Sequence, residues 1–205
     1  MRRLLTAALA LVLSFYAAVS AAPRFTSTWK APEAAGTSFA GRKVAALVIS
    51  QDENLRMSSE EALVRELAAV GVKDAVAAYR LVPREELQDA VKAKPWFERA
   101  GVEGVVSLRL VRAETERNYP STYWAAPAYS SFWGYYGYGW GVSYEFGSMR
   151  EDTTLVIENL VFSVSKDKLL WAAVSETTNP KNAGTLIKDL VKETMKEMRK
   201  EKLIR

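Results

Sequence analysis

Apolar and polar positions along the chain predict strands and amphipathic helices in alternation. Residues 44–49 form a continuous apolar run of strand length, which is typical of a strand covered on both faces. Ser58 or Ser59 then precedes a stripe of helical spacing, and Gly71 ends it. The stripe consists of Leu63, Val64, Leu67 and Val70. The fold is therefore expected to begin at residue 43 with a strand that leads into a helix.

The strand and helix pattern recurs further along the chain. Residues 74–81 are predicted to form a second strand, and Pro83 is expected to open a second helix. Pro95 interrupts that helix, and Trp96 with Phe97 is expected to fill its bend. Its predicted buried positions are Leu87, Ala90 and Val91. The third predicted strand, 104–114, alternates Val106, Leu108 and Leu110 with Ser107 and Arg109.

The last part of the chain predicts a hairpin and a long helix. Residues 154–164 and 169–174 flank the turn 165–168, and Trp171 is expected in the core. Asn179 followed by Pro180 resembles a helix cap with proline in the first position. The apolar stripe of this helix consists of Leu186, Ile187, Leu190, Val191, Met195 and Met198.

These elements predict the α/β fold class, in the order β-α-β-α-β-β-β-α. Helices between the early strands favour parallel crossovers, and the late hairpin is antiparallel, so we expect one mixed sheet of about five strands with three main helices. A single domain is predicted over residues 43–205, and residues 22–42 are interpreted as a lead-in segment. A long aromatic and glycine-rich loop or ribbon, residues 118–148, separates strands three and four.

That loop carries the candidate binding residues. It holds 12 of the 22 aromatic residues of the chain, interleaved with glycine, a combination suited to pressing a loop against another surface. A connection of this length is usually functional or disordered. Three interpretations stay open: packing of the rings on the protein itself or disorder, an interaction surface, and a membrane-inserting hairpin. The candidate binding residues are Tyr123, Trp124, Phe132, Trp133, Tyr135, Tyr136, Tyr138 and Trp140.

The first 22 residues are typical of a secretory signal peptide. Arg2 and Arg3 precede an apolar run, and Val19 and Ala21 are the small residues before a predicted cleavage after Ala21, so residues 1–21 would be removed. The alternative is an uncleaved leader that anchors the protein in the inner membrane. We therefore predict a periplasmic or secreted protein.

Composition excludes several function classes. The chain has no cysteine and no histidine, which excludes disulfides, thiol nucleophiles, Ser-His-Asp triads, imidazole or thiolate metal sites and a lipidated cysteine. Without Arg2 and Arg3, 26 basic residues face 24 acidic ones, and the formal net charge falls from +4 to +2. That balance argues against nucleic acid as a partner. No enzyme activity, cofactor or metal is predicted.

Two pairs of adjacent acidic residues are possible sites. Asp52 and Glu53 follow the first predicted strand, where open sheets place ligands, although a turn or helix cap is the favoured interpretation. Glu151 and Asp152 are candidates for a hard cation, but adjacent side chains on an extended segment point apart. Neither pair is predicted to be a site.

The sequence resembles a group of uncharacterised bacterial envelope proteins, many of them lipoproteins. The resembling segments are 61–71, 99–106, the aromatic block 134–141, and 168–177. The element order is also distantly similar to the periplasmic domain of curli-secretion lipoproteins and to the N-terminal domain of the Tol translocation protein. The resemblance implies a noncatalytic envelope role, although this chain lacks the lipidated cysteine of many relatives.

Together these observations predict an exported, noncatalytic accessory or binding protein that uses its aromatic loop. Candidate partners are an envelope protein, a glycan or a membrane surface. The alternative is a subunit of a homo-oligomeric envelope or secretion assembly, in which the loop joins neighbouring copies.

Overall fold

A computed structural model describes residues 22–72, 74–111, 121–142, 154–178 and 180–204. Within them, six strands form one mixed sheet in the order β1-β6-β5-β4-β2-β3. Strand β2, next to the edge strand β3, pairs in parallel with β3 and β4, whereas β4-β5, β5-β6 and β6-β1 are antiparallel. The strands are β1 Arg24–Lys30, β2 Lys43–Ile49, β3 Asp74–Ala77, β4 Gly104–Val111, β5 Thr154–Ser163 and β6 Lys168–Thr178.

Helices cover both faces of this sheet, which confirms the predicted α/β class and mixed sheet. α1 connects the parallel pair β2 and β3, and α3 precedes β4. Short 3₁₀ turns lie at Pro32–Ala34 and Ser121–Ala125. The helices are α1 Glu53–Ala69, α2 Ala78–Leu81, α3 Ala90–Arg99, α4 Pro127–Ser130, α5 Phe132–Gly141 and α6 Ala183–Lys200.

One face of the sheet packs against α1 and α6. The apolar stripes predicted for these helices supply this layer, and Trp171 of β6 is 1% exposed within it, as the sequence predicts. Removing these side chains from water is the main force that holds the two helices to the sheet. The layer is centred on Val44, Ala46, Val48, Leu63, Leu67, Val106, Leu190, Val191, Met195 and Met198.

The opposite face packs against α3 and the aromatic helices α4 and α5. Ala45, Leu47 and Ile49 of β2 point into this second layer, where they meet Phe97 of α3. The continuous apolar run of β2 is thereby explained, because both of its faces are covered. The aromatic side chains that close the layer are Trp124, Tyr129, Phe132, Tyr135, Tyr136 and Trp140.

Two features of the N-terminal part differ from the sequence prediction. The segment 22–42 contains β1, an edge strand that pairs with β6 in the register Thr28 with Ala173. α1 begins at Glu53, because the Asp52 carboxylate accepts a hydrogen bond from the Leu55 N–H at 3.0 Å. The cap is therefore Asp52 and not Ser58 or Ser59, which lie inside the helix.

The region before β4 also differs. The second strand ends at Ala77, and Pro83 opens a turn instead of a helix. α3 starts at Ala90, capped by Asp89, and continues through Pro95. Phe97 is buried as predicted and Trp96 is half-buried, whereas Val91 is 81% exposed and not in the core. The buried face of α3 carries Ala93 and Phe97, and Val91, two residues or about 200° before Ala93, lies on the opposite face.

The C-terminal elements follow the prediction closely. The turn that joins β5 to β6 spans residues 164–167, one residue earlier than predicted, with Asp167 in the left-handed region at φ 47°. Strand β6 extends to Thr178 instead of ending at residue 174. All six residues of the predicted stripe in α6 are buried. The helix begins at Ala183, where Asn182 accepts from the Thr185 N–H, so Pro180 is not its first residue. The proposed cap Asn179 lies outside the described residues.

Candidate functional site

The described part of the aromatic segment, residues 121–142, folds back on the sheet as a second covering layer. Ser131 caps α5 by accepting a hydrogen bond from the Gly134 N–H at 3.0 Å. Asp167, in the β5-β6 turn, accepts from the N–H groups of Phe132 and Trp133 at 2.8 and 3.2 Å. Two separate side chains thus satisfy the free N–H groups at the start of α5, which fastens this helix to the hairpin.

Ring packing holds the layer together. Phe132 lies 5.5 Å from Phe162 of β5 and 5.6 Å from Phe97 of α3, measured between ring centroids. Tyr135 stacks on Phe162 at 5.2 Å. Such aromatic pairs stabilise a structure beyond the area they bury. The Tyr136 hydroxyl donates to the Leu87 carbonyl, which adds a polar link to the turn before α3.

The glycines of α5 permit close approach to the sheet. A Cβ atom built on Gly139 would lie 2.5 Å from Cδ1 of Ile49, well inside van der Waals contact. Glycine disfavours helices in isolation, so the packing it allows must outweigh its poor helix propensity.

A buried ion pair lies beneath the aromatic layer. Arg109 of β4 donates from Nη2 and Nε to Oε2 of Glu158 on β5, at 2.7 and 3.0 Å. Tyr129 donates to Oε1 of Glu158 at 2.8 Å, and Tyr123 lies 2.5 Å from the Tyr129 hydroxyl. Tyr138 covers the guanidinium of Arg109 at 5.2 Å. The pair therefore connects the sheet to α4, α5 and the preceding turn.

Burial and neighbouring charges shift the pKa values of Glu158 and Tyr129 in this cluster. Burial raises the pKa of Glu158, and Arg109 and the hydroxyl of Tyr129 oppose that rise by stabilising the carboxylate. Burial, together with the nearby Glu158, raises the pKa of Tyr129 well above its ordinary value. Tyr129 therefore keeps its proton at neutral pH and donates it to Glu158.

The structure separates the candidate binding residues into two sets. Tyr123 and Trp133 are half-buried, and Tyr138 is 40% exposed. The remaining five are buried in the second layer, so they do not present a free surface. This buried set consists of Trp124, Phe132, Tyr135, Tyr136 and Trp140.

Trp133 lies in a cleft between α3, the start of α5 and the β5-β6 turn. The cleft has a volume of about 390 Å³. Lys94 and Glu98, one turn apart on α3, form a long ion pair at 3.8 Å along its wall. Its lining residues are Lys94, Glu98, Val102, Trp133, Val164, Ser165 and Asp167. An indole beside charged and hydroxyl groups can pack against an apolar face while its neighbours form hydrogen bonds.

Of the two acidic pairs, the structure describes Asp52 and Glu53, and both have structural roles. Asp52 caps α1 as favoured, and Glu53 forms an ion pair with Arg84 at 2.7 Å. Glu151 and Asp152 lie outside the described residues. Among the residues that the structure describes, acidic side chains form no group of three or more suited to a metal ion. The helices in those same ranges include none with the length and apolar character needed to cross a membrane.

Comparisons with known proteins give a structural likeness. No protein-family model matches the chain, and no curated protein matches it. The chain is similar in structure to PelC. The PelC dodecamer from Paraburkholderia phytofirmans has a TM-score of 0.48 and 11% identity, and the match covers 89% of this chain and 99% of that chain.

A single-residue variant of the PelC dodecamer from Paraburkholderia phytofirmans is also similar. Its TM-score is 0.44 at 14% identity, and the match covers 90% of this chain and 99% of that chain. At identities and TM-scores this low, the likeness to PelC carries no argument about function.

Sequence reasoning did not select Arg109, Glu158 or Arg56. Arg109 and Glu158 do carry a sequence signal, because each is a charged residue within an apolar strand, where an unpaired charge would be costly. Arg56 lies in the first turns of α1 and is 6% exposed. The sequence predicts a helix that starts at Ser58 or Ser59, which leaves Arg56 outside it, so the pattern gives no reason to expect its burial.

Proposed function

We propose that this protein is a noncatalytic binding or accessory protein of the cell envelope and that it contacts a glycan through the cleft around Trp133. The envelope location rests on the predicted leader. The observation that carries the binding role is the partial exposure of Trp133 in a cleft with mixed charged and hydroxyl groups.

The chemistry of the cleft suits a sugar ring. A sugar ring has C–H faces, which pack against an indole, and hydroxyls at its rim, which both donate and accept hydrogen bonds. Lys94 supplies a donor, Glu98 and Asp167 supply acceptors, and Ser165 supplies both. The opposed charges match a polyhydroxylated ligand better than a strongly charged polymer.

The buried rings of the aromatic segment favour a structural role for most of its side chains. Phe132, Tyr135 and Tyr136 are fully buried, so turning them towards a membrane would expose the second core layer to water. Among the described rings of the segment, Tyr123, Trp133 and Tyr138 can contact a partner without that cost. We infer that the aromatic segment is mainly a structural layer whose rim contributes the binding surface.

The test is sedimentation with purified peptidoglycan. Deleting residues 131–141 would remove four buried aromatic side chains, so the sharper variant is Trp133→Ala. Trp29→Ala is the matched control, because Trp29 is also half-buried but lies on β1 and does not line the cleft. The proposal expects the wild type and Trp29→Ala to sediment with the glycan and Trp133→Ala to stay in solution. Equal sedimentation of both variants, or no binding by the wild type, would contradict it.

The alternative function, a subunit of a homo-oligomeric envelope or secretion assembly, has its own observation. Val91 and Tyr138 are large apolar side chains that are 81% and 40% exposed, and burying either against a second copy would remove apolar area from water. The solved PelC chains are dodecamers, but the likeness is too low to decide the matter. Light scattering during size-exclusion chromatography decides it: an oligomer that falls to monomer in Val91→Ser or Tyr138→Ser favours this alternative, and a monomeric wild type removes it.

A further inference from the structure

A second cleft, separate from the one around Trp133, lies at the carboxyl end of β2. It has a volume of about 410 Å³, and it opens where β2 leads into α1. The turn before α3 forms its other wall. Its lining residues are Ser50, Gln51, Glu53, Arg56, Arg84, Glu85, Leu87 and Gln88.

The position of this cleft in the fold favours ligand binding. β2 and β4 are parallel neighbours. α1 follows β2 on one face of the sheet, whereas α4 and α5 follow β4 on the other. Open α/β sheets bind ligands in the crevice that such a divergence creates, at the carboxyl ends of the strands.

Arg56 is the unusual residue of the cleft. It is 6% exposed, and its Nη1 is buried without a hydrogen-bond partner. Nη2 lies 3.8 Å from Oε1 of Glu53, and Cζ lies 6.0 Å from the Trp140 ring centroid. A buried guanidinium with an unsatisfied N–H donor is costly. A ligand that brings a hydrogen-bond acceptor to Nη1 would therefore be stabilised there.

The surrounding charges leave Arg56 incompletely compensated. Glu53 directs Oε2 to Arg84 at 2.7 Å and so contacts Arg56 only weakly. Both oxygens of Glu60 accept backbone N–H groups, from Val48 at 3.1 Å and Tyr79 at 2.9 Å. Glu85 also lines the cleft. Burial raises the pKa of Glu60 to about 7, which further reduces the negative charge near Arg56 at neutral pH.

We propose that this cleft binds a small ligand through a carboxylate held between Arg56 and Arg84, in place of the Glu53 carboxylate, which pairs closely with Arg84 and only weakly with Arg56. Guanidinium groups recognise carboxylates through paired, charge-assisted hydrogen bonds. The Gln51 and Gln88 side chains, which lie 3.3 Å apart, offer donors and acceptors to the rest of the ligand. Two sources share this chemistry: an acidic sugar and the C-terminus of a peptide.

Titration of the purified protein by nuclear magnetic resonance tests the proposal. The probes are D-glucuronate for the acidic sugar, N-acetylalanine for the peptide terminus, and D-glucose as the neutral control. We expect saturable shifts of the Trp140 indole resonance, which lies beside Arg56, with at least one of the carboxylates and none with glucose. The carboxylate that binds more tightly identifies the source.

Variants assign the binding to the two arginines. Arg56→Gln and Arg84→Gln should each weaken carboxylate binding by about tenfold, since each removes charge-assisted hydrogen bonds. Glu53→Gln should strengthen it several-fold, because it removes the competing carboxylate. Arg42→Gln is the control, since Arg42 pairs with Glu103 at the opposite end of β2 and should leave affinity unchanged.

The result that overturns the proposal is clear. Absence of saturable binding to both carboxylates in the wild type and in Glu53→Gln would contradict it, as would unchanged affinity in Arg84→Gln. Arg84 has a 79% exposed side chain, so its variant tests the site even where Arg56→Gln fails to fold.

Discussion

Arg109 and Glu158 form an ion pair across β4 and β5 in which both side chains are at most 2% exposed. The pair lies under the aromatic layer and holds it through Tyr129 and the Val142 carbonyl. Its role is to position this layer: together with ring packing and the hydrogen bonds of Asp167 and Tyr136, it joins the sheet to α4 and α5.

Removing one partner of this pair should be strongly destabilising. Arg109→Met leaves the Glu158 carboxyl buried without its cation, and we expect a loss of about 3–5 kcal/mol in the free energy of unfolding measured with urea. Arg42→Met breaks an exposed pair with Glu103 and should cost less than about 1 kcal/mol. Equal losses in the two variants would show that the buried pair does not hold the layer.

Glu60 should make stability depend on pH. Its pKa rises from 4.5 to about 7 on folding, chiefly through burial, so the folded protein binds a proton more tightly than the unfolded chain. Its favourable contribution is fully present below pH 4.5 and is lost as pH rises towards 7, by about 3 kcal/mol.

Comparison with Glu60→Gln isolates this effect. Both oxygens of Glu60 accept N–H groups, so the amide of the variant places a donor against a donor. The variant should be less stable than the wild type, by a margin that is larger at pH 5 than at pH 8. Urea unfolding across this range measures the margin, and a margin that is constant with pH would contradict the assignment.

Two glycines of α5 should respond in opposite directions to alanine. Gly139→Ala places a methyl group against Ile49, and we expect a loss of about 1–3 kcal/mol in unfolding free energy from overpacking. A Cβ atom built on Gly141 would meet no neighbouring atom within 4 Å, so Gly141→Ala should be neutral or stabilise by up to about 1 kcal/mol. Thermal or urea unfolding of the pair gives the sign, and loss of stability in Gly141→Ala alone would be inconsistent with this packing.

The parts of the fold that the sequence predicts are those with strong local patterns. β2 has a long apolar run, and the stripe of α6 repeats over several turns, so both are found close to their expected positions. β1 carries only Phe25 and Trp29 as large apolar residues. It is a strand because it pairs with β6, which lies far away in sequence, and no local signal reports that partner.

The aromatic segment shows why the site was harder to predict. Its glycines disfavour a helix, yet α5 forms because packing on β2 and Phe162 overrides propensity. The alternation in β4 separates Arg109 from Leu108 and Leu110, but it does not reveal that both faces are covered. Sequence composition therefore identifies the segment, and only the structure separates its buried rings from its exposed ones.

The central claim is that residues 121–142 of the aromatic segment form a layer of the core, and we propose that binding is confined to its rim. The most direct test is the unfolding free energy of Phe132→Ala beside Tyr138→Ala. We expect Phe132→Ala to lose about 3–5 kcal/mol and Tyr138→Ala, whose ring is 40% exposed, to lose much less. Unchanged stability in Phe132→Ala would contradict the account, because the ring would then not be packed in the core.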